Sequence, residues 1–263
     1  MKINIAGGTG VMGKVHKPLF ENQGHEVIIS GRLTTPNLEQ AARESDLTIV
    51  SVPIPLTEEI IKRLAPYCSA IMDFTSLKIF PIKAMLKYST QSCEVGGLHP
   101  LYGRIDLLEG QTVVYCPTSR SGEKCNEIID SFKNFGLKVK TMTPERHDLV
   151  VNGIAQNART MALESFALLA ERFGVSMTEL YGVSPPPTKI LLDLLARQVD
   201  NYNDELYRVM RDYNPLSKEI ASSIAAELFS SSYGDNPKRI RRLFGQELGK
   251  AQVRAKELIK RLN

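Results

Sequence analysis

A chain of 263 residues, 43% hydrophobic and 24% charged, has the balance of a folded globular protein and excludes a disordered or fibrous one. Its size suits one large domain or two ordinary ones, and a net charge of +4 is too mild to indicate a nucleic-acid partner. No apolar run approaches the ~18–20 residues that a bilayer crossing needs, and the opening MKINIAGGTG breaks into glycines too early for a signal or transit peptide.

The first half alternates short apolar runs with amphipathic stretches. Strands are expected at Lys2–Ala6, Val27–Ser30, Leu47–Val52, Ala70–Asp73, Gln111–Cys116 and, as a half-exposed edge, Leu137–Lys140. Helices are expected between them, at Val11–Asn22, Leu56–Leu64, Ile82–Lys87 and Gly122–Phe135. Such alternation argues for a mostly parallel sheet with right-handed crossovers. Near Thr143-Pro144-Glu145 the pattern changes, and from there helical spacing dominates. Pro185-Pro186-Pro187 must interrupt a helix, because proline supplies no N–H and clashes with the preceding turn. The four cysteines, Cys68, Cys93, Cys116 and Cys125, form no CxxC pair. They read as reduced thiols of a cytoplasmic protein rather than a disulfide frame or metal site.

The first strand runs straight into Gly7-Gly8-Thr9-Gly10-Val11-Met12-Gly13, in which Gly8, Gly10 and Gly13 fit G-x-G-x-x-G. A strand before it and a helix after it are the setting in which this motif cradles a dinucleotide pyrophosphate on a helix N-terminus. The fold class is therefore α/β. We expect an N-terminal Rossmann-like dinucleotide-binding domain over residues 1–142, followed by an all-helical C-terminal domain over 143–263. An NAD site would place an acid at the end of the second strand. Ser30-Gly31-Arg32 stands there instead. Arg32 can pair with a 2′-phosphate, so NADP is favoured over NAD. Ser51-Val52-Pro53 and Asp73-Phe74-Thr75-Ser76-Leu77-Lys78 follow later strands and should converge on the same edge. So should Gly97-Leu98-His99-Pro100, read as a Gly- and Pro-bounded loop. His16 and His25 read as structural or solvated. For His99 the spacing leaves two readings open: a base that takes a proton during hydride abstraction, or a core histidine bonded to backbone.

The glycine loop, Ser51-Val52-Pro53, Asp73-x-x-Ser76-x-Lys78, Gly97-Leu98-His99-Pro100 and His147-Asp148 together resemble the prephenate/arogenate dehydrogenase family of tyrosine biosynthesis, in order and approximate spacing, over nearly the whole chain. The resemblance implies oxidation of a ring alcohol by hydride transfer to a nicotinamide, with loss of carbon dioxide. It implies that His99 is the base and that Ser76, otherwise a helix N-cap, orients it. Gly8, Thr9, Gly10, Val11, Met12, Gly13, Ser30, Arg32, Val52 and Pro53 would hold the cofactor. Arg197 would bind a substrate carboxylate beside an apolar helix face, and Gln156 falls at a family-like position. His147-Asp148 would be architectural or near the cofactor, and Lys78 a second candidate cation. Arg159 is a departure: it stands where many members carry histidine, leaving arogenate open beside prephenate. The basic run Lys238–Phe244 reads as a solvated face, not a nucleic-acid site, and a homodimer through the helical half is implied. The competing readings are another NADP oxidoreductase, such as a deazaflavin-linked one, and a nucleotide-binding regulator without catalysis.

Overall fold

The computed structural model describes residues 1–103, 108–201, 212–214, 216–230 and 241–260. The chain divides into two compact units. The first holds residues 1–154 and a short return carrying Asp212–Asn214. The switch from strands to helices falls near residue 142, whereas the boundary by packing falls after Ile154.

The first unit is built on seven strands: β1 (Lys2–Ala6), β2 (Glu26–Ser30), β3 (Leu47–Val50), β4 (Ala70–Asp73), β5 (Glu94–Pro100), β6 (Thr112–Pro117) and β7 (Lys138–Thr141). Their order in the sheet is β2-β1-β3-β4-β5-β6-β7. All neighbours pair in parallel except β5 with β6, which are antiparallel. The helices are α1 (Val11–Glu21), α2 (Leu38–Arg43), α3 (Ile54–Leu64), α4 (Ile79–Tyr88), α5 (Glu123–Asn134) and α6 (Pro144–His147).

Strand side chains alternate between faces, and both faces are covered. Ile3, Ile5, Leu47, Ile49 and Met72 pack in one core with Leu19 and Phe20 of α1 and Ile128 and Phe132 of α5. Ala6, Val50, Ile71 and Val95 pack in the other with Leu38, Ile61 and Met85 of α2, α3 and α4. This double burial explains why β1, β3 and β4 read as near-continuous apolar runs. One polar ladder crosses the sheet. Ser30 Oγ donates to Asn4 Oδ1 at 2.7 Å, and Asn4 Nδ2 donates to Thr48 Oγ1 at 3.4 Å. All four cysteines are buried and unpaired. Burial pushes the thiols of Cys68, Cys116 and Cys125 up to about 12 and raises that of Cys93.

One expectation is corrected. His99 lies not in a loop but within β5. Gly96 and Gly97 belong to this strand because side chains have no room there. A Cβ at Gly96 would come within 3.1 Å of Met72 and Tyr115, and one at Gly97 within 2.8 Å of Ile82.

A π-helical stretch (Asp148–Gln156) begins in the first unit and ends in the second, where α7 (Asn157–Phe173) follows and Gly174 closes it in the left-handed conformation at φ 67°. Then come α8 (Met177–Val183), α9 (Pro186–Asn201), α10 (Ser217–Ser230) and α11 (Glu247–Lys260). The proline run separates α8 from α9, with Pro186 opening the latter. Of α7, only Leu163 and Ala170 are buried. Of the basic run, residues 238–240 lie outside the described residues.

Candidate active site

The strand order reverses at β1 and β3, and in open α/β sheets ligands lie beyond the carboxyl ends of strands at such a point. The glycine loop leaves β1 there. Gly7 adopts φ 84°, and a Cβ on it would strike the Ser51 carbonyl at 2.3 Å and Val52 at 2.7 Å. The Ser51-Val52-Pro53 turn and the glycine loop are thus in direct contact. A Cβ on Gly13 would sit 1.9 Å from the Gly8 carbonyl oxygen, so only glycine lets α1 approach β1 this closely. At Gly10 the nearest atom to a Cβ is 3.6 Å away, which leaves that side open. Helix α1 starts after Gly10 with no side-chain cap and no acid in its first turn, and Thr9, Gly10 and Val11 are exposed. Free N–H groups, a positive dipole end and no competing carboxylate suit a pyrophosphate.

The proposed ribose end is different for its two residues. Ser30 is fully buried. Its hydroxyl is bound to Asn4, and its carbonyl accepts from Gly7 N–H at 2.7 Å. Ser30 therefore serves the sheet, and its hydroxyl does not face a ligand. Arg32 is exposed and makes no ion pair among the described residues.

At the carboxyl end of β5, His99 is half-buried and its Nδ1 lies 2.9 Å from His147 Nε2. His147, wholly buried, places its Nδ1 2.7 Å from Asp148 Oδ1. Asp148 also accepts the backbone N–H of Lys78 on Oδ1 at 2.8 Å and that of Ile79 on Oδ2 at 3.0 Å. It thereby caps the start of α4 across 70 residues of sequence. Burial, then the facing His147 and Lys78, hold the His99 imidazole well below its usual pKa. It is accordingly neutral near pH 7, as a proton acceptor must be.

Two expectations around His99 change. Ser76 does not hold it, since that position on Nδ1 is taken by His147. Nor does Ser76 cap α4, whose first N–H groups go to Asp148. The Ser76 carbonyl accepts from Asn152 Nδ2 at 2.5 Å, and its hydroxyl has no partner among the described residues. Lys78 is neither solvated nor free for a ligand. It is fully buried, donating to Asp73 Oδ2 at 2.5 Å and to the Leu98 carbonyl at 2.7 Å. Asp73 has no exposure either, and burial pushes its carboxyl above the usual range against the pull of Lys78.

His16 and His25 are structural. His16 donates from Nδ1 to the Met12 carbonyl at 2.7 Å, and Tyr102 O–H donates to its Nε2 at 2.9 Å. This ties the segment after β5 to the helix that opens at the glycine loop. Burial lowers His16 to about 4. His25 Nε2 donates to Ser131 Oγ at 2.8 Å.

Gln156, Arg159 and Arg197 belong to the second unit. Arg159 donates to Gln156 Oε1 at 2.9 Å. Arg197 is an exposed residue of α9, whose neighbouring Leu194 is 42% exposed, so the apolar face beside it is less covered than expected. The pair that sequence reasoning undervalued is His147-Asp148. Adjacent residues in a chain seldom act on one another's side chains, so spacing alone gave no sign of it.

Residues 9–141, about half of the chain, match the family model described as prephenate dehydrogenase, nucleotide-binding domain. A probable arogenate/prephenate dehydrogenase of Methanocaldococcus jannaschii is 31% identical over 241 residues, covering 84% of this chain and 53% of that protein. The T-protein of Haemophilus influenzae is 30% identical over 200 residues, covering 74% of this chain and 52% of that one. The chain thus spans about half the length of these curated relatives. Prephenate dehydrogenase from A. aeolicus, solved with hydroxyphenyl propionate and NAD+, superposes with a TM-score of 0.68 at 18% identity, covering 100% of this chain and 98% of that one. Synechocystis arogenate dehydrogenase gives 0.66 at 19%, with coverages of 96% and 99%. At such identities these two structures speak to the fold.

Proposed function

Because the chain belongs to the prephenate/arogenate dehydrogenase family, we propose that it oxidises and decarboxylates prephenate to 4-hydroxyphenylpyruvate with NADP. The observation that carries this reading is a neutral, braced His99 at the carboxyl end of β5, in the same sheet edge as an uncapped glycine-loop helix. Bound at that loop, NADP would supply the hydride acceptor. His99 takes the proton of the ring hydroxyl as the carbonyl forms, so the alcohol loses one hydride and one proton. Loss of the ring carboxylate as carbon dioxide follows, driven by aromatisation. The protein's share is orientation and proton removal.

Arg32 supports NADP over NAD: it is exposed, follows β2, and has no acid beside it in Ser30-Gly31-Arg32. Ser76, with its unengaged hydroxyl, is proposed to face the nicotinamide or the substrate. Arg197, Arg159 and Gln156 are proposed to meet the substrate carboxylates. Arogenate is the alternative substrate, since relatives carry both names. Two further parts of the reading concern the protein's setting. Exposed Leu168, Leu169, Phe173 and Val183 on the second unit support a homodimer formed through its helices. Unpaired buried thiols support a cytoplasmic location. No helix among the described residues is long and apolar enough to cross a membrane.

The test is nicotinamide absorbance with NADP or NAD and with prephenate or arogenate offered separately. Turnover of prephenate with NADP is the expected result. No turnover with any pair, from protein that binds NADP, would overturn the reaction and leave the non-catalytic reading.

A further inference from the structure

The three-residue chain behind His99 has a direction that the hydrogen-bond inventory fixes. Backbone N–H groups can only donate. Asp148 must therefore accept on Oδ1 from Lys78 and on Oδ2 from Ile79. A carboxylate is an acceptor only, so at 2.7 Å the proton lies on His147 Nδ1. As a neutral ring with its hydrogen on Nδ1, His147 offers a bare Nε2. His99 Nδ1, 2.9 Å away, must then carry the hydrogen. That leaves His99 Nε2 bare, and it has no partner among the described residues.

We propose that His147 and Asp148 are positioning residues that lock His99 as its Nδ1–H tautomer and so present Nε2 as the proton acceptor. The inference rests on the reading of His99 as the base and deepens it. The same hydrogen bonds serve both protonation states. When Nε2 takes the substrate proton, Nδ1–H still donates to His147, and Asp148 opposes the new charge through the intervening ring. No donor need reverse during the step, which is the advantage of a preorganised site. Asp148 also couples two jobs in one carboxylate, since it caps the helix that begins beside Lys78 while orienting the ring.

Asp148→Leu tests the direction. An Asp148→Asn amide could keep its oxygen at the Oδ1 place, where both Lys78 N–H and His147 Nδ1 are met, whereas leucine offers His147 Nδ1 no acceptor. Nothing then holds the His147 proton on Nδ1, and a proton on His147 Nε2 would donate to His99 Nδ1 and leave the His99 proton on Nε2. The expected result is a fall in kcat of ~10²–10⁴-fold, the range for losing a correctly poised base, with KM and NADP affinity nearly unchanged. His147→Gln retains an amide oxygen that can accept from His99 Nδ1–H, whereas His147→Leu does not. Gln should therefore keep clearly more turnover than Leu, an ordering that packing alone would not produce. Imidazole ¹⁵N NMR of the NADP-bound full chain reads the tautomer without turnover. His99 should be protonated at Nδ1 in the wild type and lose that preference in Asp148→Leu. A wild-type His99 protonated at Nε2, or equal turnover in the Gln and Leu variants, overturns the proposal. Absence of turnover in the wild type would instead refute the reaction, leaving the NMR result to decide the tautomer.

Discussion

Lys78→Met should be the most destabilising single change near the site. The ammonium has no solvent exposure and is the cation facing the equally buried Asp73, besides donating to the Leu98 carbonyl beside His99. Methionine fills similar space but leaves a buried charge without its partner. Such a break costs about 3–5 kcal/mol. At about 2–4 °C per kcal/mol for a unit of this size, Tm should fall by roughly 6–20 °C. The sign of the pH dependence is also fixed. Burial already raises the Asp73 carboxyl, and Lys78 is the largest influence opposing that rise. Without Lys78 the folded-state pKa climbs further above the unfolded one. The folded variant then binds the extra proton, and its deficit relative to wild type shrinks as pH falls from 7 toward 5. Adding Asp73→Asn should recover part of the loss, at least about 1 kcal/mol, because the two residues share one interaction. Urea or thermal unfolding by circular dichroism at several pH values measures all of this. A cost below about 1 kcal/mol, a deficit that does not change with pH, or a double variant no more stable than the single would refute the argument.

Three further changes have distinct signatures. His99→Asn should lower kcat by ~10²–10⁴-fold while NADP binding by titration calorimetry stays intact, because the change removes the proposed base and not a binding group. Arg32→Ala should weaken NADP by ~10–100-fold, the worth of a charge-assisted hydrogen bond of about 1.5–3 kcal/mol, and leave NAD affinity alone; an unchanged NADP affinity would remove the basis for that cofactor. His16 is held at about 4 when folded against an ordinary 6.5. Its contribution is complete above pH 6.5 and is lost as pH falls through that interval, so the stability gap between wild type and His16→Gln should narrow by up to about 3 kcal/mol from pH 7 to pH 4.

Much of this was readable in the chain because burial on both sheet faces writes itself as apolar runs. β1, β3, β4 and the exposed edge β7 stand close to where periodicity puts them. The glycine loop was readable for the same reason, since Gly7 and Gly13 occupy places where a Cβ would strike backbone. β5 was not. Its Gly96, Gly97 and Pro100 look like chain breakers, and only the neighbours Met72, Tyr115 and Ile82 show why glycine is demanded inside a strand. The short α2 was hidden by its length; its Asn37 cap, which accepts from Gln40 N–H, is the sole local sign. Around His99 the residue types were visible and their partnerships were not. Asp148 reaches Lys78 from 70 residues away, and Ser76, plausible as an orienting hydroxyl by position, is displaced from that work by His147.

The four cysteines carry an experimental consequence. All fall between residues 68 and 125, within the α/β unit, and each thiol is both shielded and held in its unreactive protonated form. Alkylation requires the thiolate and access to it, so a thiol reagent modifies this chain only when that unit opens. The helical unit is silent to the same reagent. Labelling kinetics in the unaltered protein therefore act as a clock for one half of the molecule, and adding a nicotinamide dinucleotide to the reaction would show how far it slows the opening of the unit that carries the glycine loop.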